Sequence, residues 1–228
     1  KTKIKRRIVY SYAAVFGDPL LDEEISAYPE GLLYRLSKHG VNGVWIPVIL
    51  YNMAPVDGYP SGYEDGFETR IRNLNRLCRR AAKFGIQIYV YLNEPRGMTA
   101  DFYLQKPAWR GMQEEVLSAM CTSNPEVLDW LYRATKKLFT DVPALGGTVL
   151  MTMSENITNC YSRAFGKDTT CPICAKRTPE DVVSEVIRVV TSGVHDANPD
   201  AAVLAWTWGE RPEWYQKCVA LFPSDAIC

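Results

Sequence analysis

Three glutamates each follow a short apolar run: Glu94 in YLNEPRGM, Glu155 in LMTMSENIT and Glu210 in AWTWGE. If the runs are parallel strands, their carboxylates converge on one rim. Cleavage of a glycosidic bond requires that arrangement, with one carboxyl kept protonated near neutral pH and a second placed across the scissile bond. The plainer alternative is that each acid caps a following helix or pairs with Arg96 or Arg211. Beside these glutamates stand Asn93, Arg96, Ser154 and Asn156, which can take sugar hydroxyls, and Trp206 and Trp208, whose flat faces can pack on pyranose rings. Trp45 and Trp206 read more often as barrel-interior or helix-interface residues than as ligand contacts.

A second constellation is Cys160 followed by Cys171-Pro172-Ile173-Cys174. CPIC has the spacing of a zinc knuckle, in which two thiolates bind one tetrahedral ion while backbone amides hydrogen-bond the sulfurs. Cys121, in AMCTSNPEV, is the candidate fourth ligand, because its loop and the loop of the other three are neighbours in a barrel. Four thiolates make a closed, structural site that pins two loops together. A disulfide, a redox pair or unpaired buried thiols are the alternatives. Cys78 and Cys218 sit on apolar helix faces and read as core.

These groups need a scaffold, and the sequence supplies one. Six β-rich runs (Ile8 to Tyr12, Val44 to Leu50, Ile86 to Leu92, Thr148 to Met153, Ala202 to Trp206, Ala226 to Cys228) alternate with amphipathic stretches. That order builds a parallel sheet from βα units. Helices are predicted around Tyr28 to Lys38, ending at Gly40; Phe67 to Phe84, ending at Gly85; Pro125 to Phe139, capped by Ser123 or Asn124; from Thr178-Pro179 to about Gly193; and Pro212 to Leu221. The connections after strands are long (51–66, 93–124 and 155–177), whereas HGVNGVWI and FGIQIYV return from helix to strand in a few residues. In a (β/α)8 barrel of the TIM type, loops after strands carry the site. About six βα units fall short of eight, and the chain lacks an initiator Met, so an excised or processed segment of one barrel domain is expected over residues 1–228. An open doubly wound sheet is the competing architecture.

Composition narrows the function. Lys plus Arg and Asp plus Glu both number 26, so no large single-sign field exists to hold nucleic acid or an anionic membrane. No apolar run approaches membrane-spanning length, and the chain reads as soluble with a lean to the cytoplasm. GxGxxG and the phosphate loop are absent, so no organic cofactor is expected. His39 and His195 fall near helix C-termini, where imidazole favours the dipole, and a histidine-based triad is disfavoured. An open-edged barrel segment is also expected to self-associate.

The run from Leu92-Asn93-Glu94-Pro95-Arg96-Gly97 to PALGGTVLMTMSEN resembles the family 20 β-N-acetylhexosaminidases and their barrel relatives, over about residues 80 to 210. The resemblance implies a glycosidase acting on a glycan containing N-acetylhexosamine, with Glu155 as general acid/base. Ser154 stands where that family has an Asp that orients the substrate acetamido group. This departure points to a different nucleophile, from Glu94, Glu210 or another strand. Asn93-Glu94-Pro95 also resembles the acid/base segment of retaining glycosidases of the cellulase superfamily. A non-catalytic carbohydrate-binding domain on the same barrel, and a zinc-dependent hydrolase of another class, remain as alternatives.

Overall fold

The computed structural model describes residues 4–22, 24–154, 156–162, 169–207 and 212–228. Strand β1 (Ile8–Val9) is followed by helix α1 (Glu30–Lys38), β2 (Gly43–Val48), α2 (Phe67–Ala82) and β3 (Gln87–Leu92). Next come β4 (Met98–Thr99), α3 (Ala100–Gln105), β5 (Arg110–Glu114), β6 (Leu117–Met120) and α4 (Pro125–Asp141). The chain continues through β7 (Leu145–Met151), α5 (Pro179–Ala197), β8 (Ala202–Trp206), α6 (Pro212–Ala220) and β9 (Ala226–Ile227).

The helix ends form where local chemistry places them. Gly40 and Gly85 adopt positive φ, and Val41 N and Ile86 N bond back to Leu36 O and Ala81 O, closing the last turns of α1 and α2. Asn124 Oδ1 accepts from Glu126 N at 2.9 Å ahead of Pro125, and Thr178 Oγ1 accepts from Asp181 N at 3.2 Å ahead of Pro179. Each cap satisfies an amide that the helix leaves unpaired, while proline fills a position needing no N–H.

The six expected strands pair in parallel in the order β1-β2-β3-β7-β8-β9, which is also their order along the chain. Right-handed crossovers that always step the same way put every helix on one face, whereas a doubly wound sheet needs a reversal of direction. The sheet therefore curls into part of a (β/α) barrel. Side-chain alternation agrees. Val44, Ile46 and Val48, Ile88, Val90 and Leu92, and Val203 and Ala205 join the main core against the helices. Their alternates Trp45, Tyr89, Tyr91, Val149 and Leu204 form a separate cluster on the concave face. Among the described residues, no helix is long and apolar enough to cross a membrane.

One expectation is corrected. The 93–124 connection is not a plain loop: it carries α3 and an antiparallel sheet in the order β4-β6-β5. Its strands have two, five and four residues and mixed polarity, too short for alternation to register. Trp109, directly before β5, is buried in the main core and donates from Nε1 to Glu126 Oε2 at 2.9 Å.

The register of β3 with β7 slips by one residue between Ile88 and Tyr89, and on β7 the pairing jumps from Leu145 to Gly147. Gly147 has φ +149°, and a Cβ there would overlap the carbonyl of Ala202 on β8. Only glycine fits this combination. Gly147→Ala is expected to destabilise the protein by about 2–4 kcal/mol through strain and strand displacement. A urea-unfolding midpoint that matches the parent would show that β7 does not lie this close to β8.

Candidate functional site

The C-terminal ends of the six strands share one rim, and the long connections lie over it. Asn93 and Glu94 directly follow β3, and Ser154 lies three residues past β7. Asn93 Nδ2 donates to Ser154 Oγ at 3.0 Å and to Met151 O at 3.3 Å, joining the two loops at buried positions. Ser154 Oγ also accepts from Asn156 N at 3.1 Å. Farther along, Gly97 N donates to Ile157 O at 2.7 Å. Asn93, Ser154, Asn156 and the loop of Arg96 are thus brought together. Glu155, Trp208 and Glu210 lie outside the described residues; Ser154 and Asn156, which flank Glu155 in sequence, and Trp206 at the end of β8 are on this rim.

Glu94 is enclosed. Its side chain has no solvent exposure, Oε1 accepts from Leu50 N at 2.8 Å, and Oε2 accepts from Arg96 N at 2.9 Å. Burial pushes its carboxyl up to about 7, opposed by the Arg96 guanidinium and the two backbone donors. Burial likewise raises the hydroxyls of Tyr51 and Tyr59, with the charge of Glu94 as the next cause. Tyr59 packs in turn on Trp130 at 4.7 Å and on Phe102 at 5.3 Å between ring centroids. A carboxyl so wrapped ties the post-β2 connection to the post-β3 connection.

On the concave face, Trp45 stacks on Tyr10 at 4.5 Å and on Tyr91 at 4.9 Å, a run of three aromatic rings across β1, β2 and β3. Trp206, at the end of β8, is 46% exposed and lines an open apolar hollow with Trp45, Val149 and Leu204. Sequence reasoning treats Trp45 as filler. The strand alternation that aims Trp45 and Tyr91 to the same side was a usable signal for the platform.

The four sequence-nominated cysteines do meet. The sulfurs of Cys121, Cys160, Cys171 and Cys174 all lie within 4.8 Å of one another, and every one of these residues is buried. Cys121 Sγ stands 3.7 Å from Cys171 Sγ and 3.6 Å from Cys174 Sγ. A disulfide needs about 2.05 Å, whereas thiolates at about 2.3 Å around a tetrahedral zinc stand roughly 3.8 Å apart. The donor set thus fits a metal ion. The hydrogen bond from Cys121, then that from Cys160, holds Cys174 below the ordinary thiol range. Cys171 is lowered first by Cys160, with the backbone amides of Cys174 and Ile173 also contributing. Cys160 is pushed up by its hydrogen bonds with Cys121, Cys171 and Cys174. Protons shared among four sulfurs are what a cation would displace. Ser123, which the sequence offers only as a helix cap, has its Oγ 3.2 Å from Cys174 Sγ.

No protein-family model matches the sequence, and no curated protein matches it. Among solved structures, the chain is similar to dispersin B (TM-score 0.55, 10% identity, 96% of this chain and 61% of that one). It is also similar to an endo-1,4-beta-mannanase from Eisenia fetida (0.53, 17%, 99% and 68%). An exo-beta-1,4-mannosidase from an Opitutaceae bacterium gives 0.52 at 17% identity, over 88% of this chain and 31% of that one. The chain therefore spans about a third of the length of that mannosidase. At these identities the likeness establishes the barrel fold.

Linkage gives a check on Glu94. Its folded value, about 7, exceeds the ordinary 4.5, so the native state binds the proton more tightly than the unfolded chain does. That contribution is fully present below about pH 4.5 and is lost as pH rises through about 7, a change on the order of 2–4 kcal/mol. Glu94→Gln is expected to flatten this part of the stability profile between pH 4.5 and 8, measured by urea midpoints. Parallel profiles for parent and variant would refute the enclosed carboxyl.

Proposed function

We propose that this chain carries the sugar-cleaving rim of a glycoside hydrolase. Glu155 gives its proton to the leaving glycosidic oxygen as the bond to the anomeric carbon breaks. Glu210 is the second carboxylate, attacking that carbon or activating the water that does. Glu94 holds the rim connections and sets the local field. The observation that carries the reading is the Asn93–Ser154 hydrogen bond, which brings the segment bearing Glu155 alongside the β3 connection at the strand ends where barrel enzymes work. The Tyr10–Trp45–Tyr91 rings and Trp206 supply apolar platforms for sugar faces. The similarity to the mannosidase and the mannanase supports the same class.

An N-acetylhexosamine unit remains part of the proposal, with one change of mechanism. Ser154 is neutral and its oxygen already accepts two hydrogen bonds, so it cannot stabilise a charged acetamido intermediate as a carboxylate would. A carboxylate nucleophile or base takes that place. Glu155→Gln is expected to lower kcat by about 100- to 10,000-fold while leaving glycan binding near the parent value. Parent protein that binds glycans but cleaves none across a broad panel would instead establish the carbohydrate-binding reading, which the enclosure of Glu94 favours. The open edges of β1 and β9 also offer a route to self-association.

The cysteine cluster, on this reading, holds one structural zinc that fixes the β6 end to the post-β7 connection. Mass spectrometry of purified protein is expected to find one zinc per chain, with Cys171→Ser losing it. Chelation is expected to lower the melting temperature by about 5–15 °C. Turnover measured below the new transition should persist. Loss of turnover in chelated, still-folded protein would assign the metal to catalysis and overturn the structural role.

A further inference from the structure

The cysteine cluster is met by polar groups that are not sulfur. Ser123 lies in the turn from Cys121 to the cap of α4, closed by Asn124 N donating to Cys121 O, and its Oγ is 3.2 Å from Cys174 Sγ. Arg177, three residues past Cys174 and directly before the Thr178 cap of α5, donates from Nη1 to that same Oγ at 3.0 Å. The same nitrogen donates to Glu185 Oε2 at 2.7 Å, which anchors the guanidinium on α5. The hydroxyl proton can be traced through these contacts. A guanidinium offers only donors, so the Ser123 oxygen accepts from Arg177 and keeps its own hydrogen for another partner. A metal-bound sulfur carries no proton, so Cys174 is the acceptor of that hydrogen. Four thiolates around one divalent cation also leave net negative charge among buried residues, and such charge is costly unless outer donors meet it.

We infer that Ser123 and Arg177 are positioning residues of the metal centre: Arg177 aims the Ser123 hydroxyl at Cys174, and that hydrogen bond sets how tightly the four sulfurs hold a cation. The inference rests on the metal reading of the cluster proposed above and names the groups outside the sulfurs on which its strength depends. The relay joins the two segments that supply the ligands, since Ser123 follows Cys121 and Arg177 follows Cys174. Arg177 acts through Ser123 in this arrangement, because its own charge is paired with Glu185.

The test is the affinity of the whole chain, reduced and stripped of metal, for Zn²⁺ and Co²⁺ in competition with a chromophoric chelator. Ser123→Ala is expected to weaken binding about 10- to 100-fold, while the stoichiometry and the sulfur-to-cobalt absorption bands persist. Ser123→Thr, which keeps the hydroxyl, should bind within about threefold of the parent. Arg177→Met should weaken binding in the parent and have no further effect in Ser123→Ala protein, the signature of one group acting through another. Thermal unfolding separates this from a folding role: metal-free Ser123→Ala should melt with metal-free parent, and only the metal-loaded forms should part. Parent that binds metal with Ser123→Ala unchanged in affinity would overturn the inference and leave the structural zinc standing. So would additive losses from the two sites, a loss that Ser123→Thr does not recover, or one matched by earlier melting of the metal-free variant. Parent that takes up neither ion overturns the zinc reading and the inference with it.

Discussion

Everything on the rim depends on the strands stepping across the sheet in one direction. Because β1, β2, β3, β7, β8 and β9 follow one another in space as they do in sequence, right-handed crossovers stack the helices on one side. The other side is left to Trp45, Tyr91, Val149 and Leu204. All C-terminal strand ends then face the same way, and each post-strand connection has neighbours only from that same end. The close passage of Gly147 past Ala202 keeps β7 in this register, and β7 leads into the segment that the proposed chemistry needs.

Those connections are held from two sides. Near the strands, Asn93 bonds Ser154, and Glu94 accepts from the amides of Leu50 and Arg96, so the connections after β2, β3 and β7 are tied together. Farther out, Cys121 at the end of the small antiparallel sheet meets Cys160, Cys171 and Cys174 in the post-β7 connection. Tyr161 braces the same region by donating its hydroxyl to the carbonyls of Cys174 and Arg177. Long connections pay an ordering entropy that few buried apolar contacts repay, and cross-links of this kind offset it.

The electrostatics of the rim follow from what is satisfied and what is not. Asp18 with Arg70 is a closed pair, while Glu94 is hydrogen-bonded yet desolvated and is shifted toward neutrality. Arg96 contributes its backbone N–H to Glu94 and keeps a buried side-chain donor without an acceptor. A carboxyl titrating near neutral pH beside a guanidinium responds to the charge of what comes near it.

The sequence by itself determined the elements whose signals are local. Gly40 and Gly85 end α1 and α2, Asn124-Pro125 and Thr178-Pro179 start α4 and α5, and the six apolar runs become the six parallel strands. CPIC spacing marked the metal-type cluster, and chain order was enough to nominate Cys121. Only the tertiary structure decided the rest. The two- to five-residue strands of the β4-β6-β5 sheet depend on pairing across the chain, and their own side-chain pattern is too short to announce it. Whether Glu94 faces a ligand or the Leu50 amide, and whether Arg96 finds an acceptor, depends on which connections fold over β3. Burial and charge compensation are sums over neighbours distant in sequence, so no local pattern encodes them.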